Sequence, residues 1–252
     1  MADLLELLPP RWREDRLILS DRARWGTVEV VGDDDGVLLV IGAGDRRSLV
    51  GRGDPDAVRR LVDGLDPAPA RWLSVPRGCV PAPHTLVALG LEPFSHWEWL
   101  AATAAPPPVP GEAEVLRLDP VSDADDIRAC LQVANPGTSA DPGGPSEVGW
   151  WGVRADGRLA GVVGVDERGG PGDRGSWHVH GLGVLPTLRG TGTGTALTAV
   201  ATRAAFAAGM SWVSLGMYAD NDGARRIYHR LGYRTEAEMS SFSPAGADRP
   251  PG

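Results

Sequence analysis

A run of prolines divides the chain. Residues 105–111 read Ala-Pro-Pro-Pro-Val-Pro-Gly, with four prolines in five positions. Such a run cannot continue a helix or a central strand, because proline lacks a backbone N–H and has a fixed φ angle. It favours a stiff, extended spacer instead. We therefore predict two domains, 1–104 and 113–243, joined by a linker over 105–112 and followed by a disordered tail over 244–252.

The charge balance argues against a nucleic-acid partner. The 252 residues include 25 Lys and Arg against 33 Asp and Glu, a net charge of -8, whereas duplex-binding proteins are normally basic. The two cysteines lack the spacing of a zinc site or a disulfide framework. No stretch approaches the roughly 18 apolar residues of a membrane span, and the first residues lack the basic region of a signal peptide. We expect a soluble, cytoplasmic monomer or homodimer without metal.

The second half alternates strands and helices in a defined order. Alternation and helical spacing of apolar residues predict nine elements: a strand at 114–118, a helix at 123–133, a hairpin of strands 150–153 and 159–165, a strand at 176–184, a helix at 194–208, a strand at 212–217, a helix at 222–231 and a strand at 238–242. Loops are expected at 135–146 and 168–175. The order β-α-β-β-β-α-β-α-β predicts an α/β or mixed α+β sheet covered by helices.

The first half gives elements but no chemical motif. Turn residues and apolar patterns predict the following elements: strands at 25–31, 37–41, 71–75 and 94–100, and helices at 55–65 and 84–89. The first domain is therefore predicted to be a smaller α/β domain.

A glycine-rich bend, Val184–Thr195, follows a predicted strand and opens a predicted helix. Glycines 190, 192 and 194 allow a tight turn whose N–H groups face one point, with the positive end of the helix dipole behind them. This arrangement suits a diphosphate, and Thr191, Thr193 and Thr195 offer hydroxyl donors. The bend lacks the lysine of a Walker A loop and the third glycine of the dinucleotide fingerprint. A purely structural turn is the alternative.

Within the bend, Arg189–Gly194 satisfies the pattern Arg-x-x-Gly-x-Gly. On the basis of this motif, residues 113–243 resemble the GNAT superfamily of N-acetyltransferases. The resemblance implies a twisted, mostly antiparallel sheet flanked by helices, with acetyl-CoA as cosubstrate. It implies that the bend holds the CoA diphosphate, and that unpaired main chain at Leu182 and Val184 holds pantetheine and the acyl carbonyl. The implied cosubstrate-binding residues are Leu182, Val184, Arg189, Gly190, Thr191, Gly192, Thr193, Gly194, Thr195 and Asn221.

A second block strengthens the resemblance. Asn221, Ala224 and Tyr228 match the family's Asn-x-x-Ala-x-x-x-Tyr, followed by Leu231-Gly232-Tyr233. The resemblance implies that Asn221 contacts the CoA arm and that Tyr228 is the general acid for the leaving thiolate. A core tyrosine is the alternative for Tyr228. The weaker echo at Leu89-Gly90-Leu91 suggests a degenerate first copy of the same domain, which lacks the glycine bend and should not bind CoA.

Two histidines precede the bend on one strand. His178 and His180 are two residues apart, so both imidazoles point to the same face. An imidazole titrates near neutral pH and accepts the proton that an ammonium loses before attack. These positions match those of a His-x-His in a relative, serotonin N-acetyltransferase, which implies a base or a water-linked proton path. Structural histidines are the alternative, and Glu147 or Asp166 are further candidates for the base.

Together these patterns predict an acetyl-CoA-dependent N-acetyltransferase acting on a small-molecule or peptide amine. A non-catalytic acyl-CoA-binding module and an O-acyltransferase are the alternatives. The acceptor, the acyl chain preference and the identity of the base are left open by the sequence.

Overall fold

The computed structural model describes residues 4–169 and 175–247. In it the chain forms two compact units. Unit 1 contains the residues up to Trp99, Tyr218–Asp220 and the residues from Glu236 onward; unit 2 contains Leu100–Met217 and Asn221–Thr235. The predicted linker, 105–112, lies inside unit 2, and the predicted last strand, 238–242, lies inside unit 1. The assignment of family domains to 1–104 and 113–243 stays a prediction.

Two predicted segments lie partly outside the described residues. Of the expected loop 168–175, residues 170–174 are outside them, and of the expected tail 244–252, residues 248–252 are outside.

The described elements alternate along the whole chain. The first half contains α1 (Leu4–Leu7), α2 (Arg16–Asp21), β1 (Val28–Gly32), β2 (Gly36–Ile41), β3 (Ser48–Gly53), α3 (Pro55–Asp63), β4 (Trp72–Pro76), α4 (Pro83–Leu89) and β5 (Glu92–Ala102). The second half contains β6 (Leu116–Leu118), α5 (Ala124–Ala134), β7 (Glu147–Ala155), β8 (Arg158–Arg168), β9 (Ser176–Val184), α6 (Thr193–Ala207), β10 (Trp212–Tyr218), α7 (Asp222–Arg230) and β11 (Arg234–Ser243). Short 3₁₀ helices lie at Pro10–Glu14, Arg22–Arg24, Gly44–Arg46, Glu112–Glu114 and Pro186–Leu188.

In unit 1 the sheet order begins β1-β2-β3-β4-β11. The β3–β4 pair is parallel, whereas the β1–β2, β2–β3 and β4–β11 pairs are antiparallel. Strand β11, from the end of the chain, pairs with β4, so the C-terminal strand completes the sheet of the N-terminal half. Residues Leu100–Ala102 of β5 belong to unit 2. Each unit therefore contains a strand segment from the other half of the sequence.

In unit 2 the sheet order is β10-β9-β8-β7-β6, parallel at β9–β10 and antiparallel elsewhere. One face packs on α6 and α7 through a core that includes Trp177, Val179 and Leu197. The other face packs on α5 through Trp150, Ile127 and neighbours. The predicted mixed sheet, mostly antiparallel and flanked by helices, is confirmed.

The sequence patterns missed β3 and the two N-terminal helices. Strand β3 reads Ser-Leu-Val-Gly-Arg-Gly, in which two glycines and an arginine obscure the alternation. Its pairing with both β2 and β4 nevertheless holds it in the middle of the sheet. Long-range pairing therefore overrides a weak local preference.

Candidate functional site

The glycine bend is open at its surface. Gly190 and Gly192 have φ angles of +78° and +96°, in the region that favours glycine. A Cβ built on either would meet no atom within 4 Å. Gly192 is the N-cap of α6 and no side chain caps the helix. Because first-turn N–H groups have no acceptor inside their own helix, the amides of Thr193, Gly194 and Thr195 are available to an external anion, whereas the Ala196 amide already donates to the Gly192 carbonyl.

Two threonine hydroxyls of the bend donate hydrogen bonds within the bend. Thr191 Oγ1 donates to the carbonyl of Leu188 at 2.7 Å and lies 2.9 Å from Thr193 Oγ1. Because each hydroxyl has one hydrogen, Thr193 must be the donor to Thr191. Both hydrogens are therefore used within the bend, and backbone amides, with Thr195, remain as the donors for a ligand.

Beside the bend, β9 and β10 part. Their parallel pairing ends at Val179 and Leu215, although β9 continues to Val184. A β-bulge in the pairing of β8 and β9 lies at the same point, since Val162 pairs with Gly183 but Gly164 pairs with His180. Bulges re-aim a strand and increase its twist. Leu182 and Val184 therefore lie in the part of β9 that continues beyond its pairing with β10.

Side chains hold the carbonyl groups of this diverging segment. Asn135 Nδ2 donates to Leu182 O at 3.2 Å, and Arg189 Nε donates to Val184 O at 3.2 Å. The other end of the Arg189 guanidinium donates to Ala134 O at 3.1 Å, at the C-terminus of α5. A cation at a helix C-terminus is favoured by the helix dipole. The structure thus places the Arg189 side chain on protein main chain, and Asn135, which follows α5 directly, was not identified from the sequence.

Tyr228 lies on α7 with its ring packed in the core of unit 2. Its side chain is buried, and its ring centroid is 5.9 Å from that of Tyr233. Burial raises the pKa of Tyr228 to about 12, so its hydroxyl keeps its proton at neutral pH. Among the described residues no group hydrogen-bonds this hydroxyl, whereas the Tyr233 hydroxyl lies 2.7 Å from Thr202 Oγ1. Within the part of the chain that the structure describes, the Tyr233 hydroxyl therefore has a partner and the Tyr228 hydroxyl has none.

Asn221 is the N-cap of α7. Its Oδ1 accepts from the backbone N–H of Ala224 at 3.0 Å, and the side chain is exposed. Its amide nitrogen has no hydrogen bond to the described residues, so a ligand can use it without breaking the cap.

His178 is held from the neighbouring strand. Its Nδ1 lies 2.9 Å from Ser214 Oγ, and the two residues are register partners in β9 and β10. Ser214 is fully buried and His178 is half-buried. No local pattern in the sequence indicates Ser214 as a partner of His178, because the two lie 36 positions apart along the chain.

His180 is packed more tightly than His178. Its ring stands edge-on to Trp150, at 5.3 Å and 86°, across Gly164, where an added Cβ would come within 3 Å of both rings. Its Nε2 is buried and lies 3.3 Å from Asp166 Oδ1, at an angle outside regular hydrogen-bond geometry. This electrostatic contact and the ring packing fix His180 in place.

Asp166 is charged at neutral pH despite its burial. Burial raises the pKa of Asp166, but the polar contact and charge of His180, together with the charges of Arg168 and His178, outweigh it and hold the pKa at about 2, below the ordinary 3.8. The Arg168 guanidinium is 3.3 Å from its other oxygen, Oδ2.

Register joins these side chains into one row across the sheet. Glu147 of β7 pairs with Asp166 of β8, Asp166 pairs with His178 of β9, and His178 pairs with Ser214 of β10. Partners in adjacent strands share a face. We call Glu147, Asp166, His178 and Ser214 the polar row. Sequence reasoning named three of its members as candidates for a base but did not bring them together.

Comparison with known proteins agrees with this geometry. Residues 123–233 match the family "Acetyltransferase (GNAT) family", and this segment is a GNAT acetyltransferase domain. Over 112 residues, 44% of the chain, it is 32% identical to a mycothiol acetyltransferase of Nocardiopsis dassonvillei, and the match spans 31% of that relative's length.

Solved structures share the fold over nearly the whole chain. A GNAT-family protein from Novosphingobium aromaticivorans aligns with a TM-score of 0.57 and 22% identity, covering 93% of this chain and 95% of its own. A GCN5-related N-acetyltransferase from Kribbella flavida aligns with a TM-score of 0.55 and 22% identity, covering 93% and 96%. At these identities the likeness concerns the fold.

Two kinds of feature are absent from the described residues. No helix in 4–169 or 175–247 is long and apolar enough to cross a membrane. Within the same ranges no group of three or more His, Cys, Asp and Glu is arranged to hold a metal ion.

Proposed function

We propose that unit 2 transfers an acetyl group from acetyl-CoA to the amine of a small molecule or peptide, by direct attack in a ternary complex. The observation that carries this is the open, uncapped start of α6, reached from a strand that diverges from its neighbour. The pair of features supplies an anion site and, next to it, a gap lined by main-chain groups.

The residues present fit acetyl-CoA. The amides of the bend from Gly190 to Thr195 would hold the diphosphate, and no side chain fills the space in front of its first two glycines. Main chain at Leu182 and Val184 would hold the pantetheine arm, and Asn221 offers its amide nitrogen. When bound, acetyl-CoA supplies an activated thioester.

Groups of the protein then polarise the thioester and transfer protons. The N–H of Val184 polarises the thioester carbonyl. His178 accepts a proton from the acceptor ammonium, and the amine attacks the carbonyl carbon. Tyr228, which holds its proton at neutral pH because its pKa is raised to about 12, donates to the sulfur as the carbon–sulfur bond breaks. We assign the base to His178 because Nε2 of His180 is buried against Asp166.

The proposed class of acceptor is supported by the net charge of the protein and by the proteins it is similar to. The protein's net charge is -8, which favours a cationic acceptor over nucleic acid. One relative is a mycothiol acetyltransferase and a structural neighbour is an N-acetyltransferase. The proposal also includes that the protein is soluble and cytoplasmic, as a monomer or a homodimer.

A thiol-release assay tests this function. Purified protein and acetyl-CoA are mixed with a panel of amines and alcohols, and free CoA thiol is measured. The proposal expects thiol release with at least one amine. Calorimetric binding of CoA without release would favour a non-catalytic binding module, and release with alcohols alone would favour an O-acyltransferase. Failure to bind CoA would remove the enzyme assignment.

A further inference from the structure

We infer that Ser214 is a positioning residue for proton removal at His178, acting together with Asp166. This inference rests on the proposed function, since it concerns the base of that reaction. It goes beyond it by assigning roles to two side chains that do not themselves touch a substrate.

Ser214 lies beside His178 where the strands begin to part. The two residues form the next-to-last pair of β9 and β10, just before the pairing ends at Val179 and Leu215. The ring nitrogen Nδ1 of His178 lies 2.9 Å from Ser214 Oγ, and Ser214 is fully buried. This contact anchors the imidazole through Nδ1 at the edge of the gap.

The bond to Ser214 bears on which nitrogen reacts. When His178 has taken up a proton, both ring nitrogens carry hydrogen, so Nδ1 can only donate and Ser214 Oγ must accept. We assign to the neutral ring the tautomer in which Nδ1–H already points at Ser214, so that proton uptake takes place at Nε2. Replacing the hydroxyl with a methyl group leaves a buried donor without its partner, which disfavours the protonated ring.

Asp166 stabilises the charge that His178 acquires. It is the register partner of His178 on β8, and its carboxylate stays ionised at neutral pH. Glu147 lies across Asp166, Arg168 is bound to it, and His180 lies beside it. The charge of His178 contributes to the lowered pKa of Asp166, and the same attraction favours an imidazolium at His178.

The proton balance is simple. An N–H bond of the acceptor ammonium breaks and an Nε2–H bond forms at His178. The freed electron pair of the amine forms the bond to the carbonyl carbon, and the carbon–sulfur pair leaves with sulfur, which takes its proton from Tyr228. His178 afterwards returns its proton to solvent, and Tyr228 regains one from the new amide nitrogen.

Nitrogen NMR of the histidine rings in the free protein tests the positioning without any activity. We expect the His178 ring in the wild type to show Nδ1 bonded to hydrogen, and Ser214→Ala to redistribute the proton between the two nitrogens. Ser74→Ala is the matched control, because Ser74 pairs with Val50 in β3 and β4 as Ser214 pairs with His178. It should leave the His178 signals unchanged. An unchanged His178 spectrum in Ser214→Ala would overturn the inference.

The pH dependence of turnover gives the second readout. In Ser214→Ala and in Asp166→Asn we expect the acidic limb of the kcat profile to move to lower pH, by about one unit for Asp166→Asn, with kcat reduced about tenfold. The KM for acetyl-CoA should not change, and Ser214→Thr should restore part of the rate. A profile that keeps its midpoint in both variants contradicts the inference.

The two readouts separate the two proposals. If the wild type acetylates no amine, the proposed function fails, while the ring spectrum still decides whether Ser214 orients His178. If Ser214→Ala does not fold, Asp166→Asn carries the measurement of the pH profile, because this side chain is not fully buried and the substitution keeps its size.

Discussion

The turn that joins β3 to α3 in unit 1 and the turn that joins β9 to α6 in unit 2 occupy the same place in two similar sheets. In unit 1, Asp54 caps α3 directly, and its carboxylate accepts from the N–H groups of Asp56 and Ala57. In unit 2, Gly192 caps α6 with no side chain, after an open bend. The first helix is capped by its own carboxylate, whereas no side chain caps the amides at the start of the second.

The row of residues that corresponds to the polar row has apolar members in unit 1. The positions that form the polar row in unit 2 are Val30, Leu39, Val50 and Ser74 in unit 1, joined by the corresponding register pairs. The three apolar members pack against the N-terminal segment around Leu8, Trp12 and Ile18. Unit 1 therefore uses this face to bury an N-terminal segment, and unit 2 uses it for charged groups.

The last helices of the two halves, α4 and α7, end in the same backbone turn but differ in a key side chain. After α4 and α7, Gly90 and Gly232 both have positive φ, and the next residue donates to the carbonyl of Leu86 or Tyr228 at 3.0 Å in each case. The backbone is the same, but Leu86 stands where Tyr228 does. The two helix ends therefore share one backbone turn and differ in the side chain at this position, as expected if the first half is a degenerate copy of the second.

The largest expected effect concerns that tyrosine. Tyr228→Phe should lower kcat about a hundredfold, because the leaving sulfur loses its proton donor, with little change in the KM for acetyl-CoA. Steady-state kinetics check this. Tyr233→Phe is the control: it loses the bond to Thr202 and about 1 kcal/mol of stability, with kcat retained. Equal turnover in Tyr228→Phe would remove that residue from the chemistry.

The next effect tests the two helix starts. Gly192→Asp gives α6 the kind of cap that α3 has, and should weaken CoA binding on the order of a hundredfold, since an internal carboxylate competes with the diphosphate for the amides. Calorimetry with CoA measures it. Gly192→Asn carries the same strain at φ +96° without the charge and should lose less. Equal losses in both variants would show that strain, not charge, weakens binding.

A third prediction contrasts Asp166 with Leu39, its counterpart in unit 1. The lowered pKa of Asp166, about 2 against an ordinary 3.8, corresponds to about 2 kcal/mol of stability that is present above about pH 4 and lost as the pH falls through 2. Asp166→Asn should therefore reduce the free energy of unfolding at neutral pH, and the gap to the wild type should close in that window. Urea unfolding at several pH values measures the gap, and a gap independent of pH would contradict the assignment.

The smallest effect concerns the cap of unit 1. Asp54→Ala should cost about 1 kcal/mol, the usual worth of an N-cap, visible as a lower Tm. It should not create a CoA site, because Pro55 has no N–H and no glycine bend precedes α3. Binding of two CoA molecules per chain by this variant would contradict the proposed difference between the starts of α3 and α6.

Much of the local structure was predictable. Strand β9 has the predicted bounds, 176–184, and α6 begins and ends within one residue of the prediction. The reason is that strand alternation, glycines with positive φ and helix caps act within a few residues. The bend was identified correctly for the same reason.

The partners of the candidate base were not predictable. Ser214 and Asp166 meet His178 only through strand register, and Asn135 meets Leu182 only because α5 ends beside β9. Register is set by the pairing of distant segments, so no local pattern reports it.

By itself the sequence determined the order of elements in the second half, the glycine bend and the residue types available for catalysis, because these depend on short stretches of chain. Only the tertiary structure decided that β11 joins unit 1, that Arg189 turns to main chain, and that four polar side chains line up across β7, β8, β9 and β10. The physical reason is that hydrogen bonds between strands couple residues far apart in the chain, and their register places each side chain beside its neighbours.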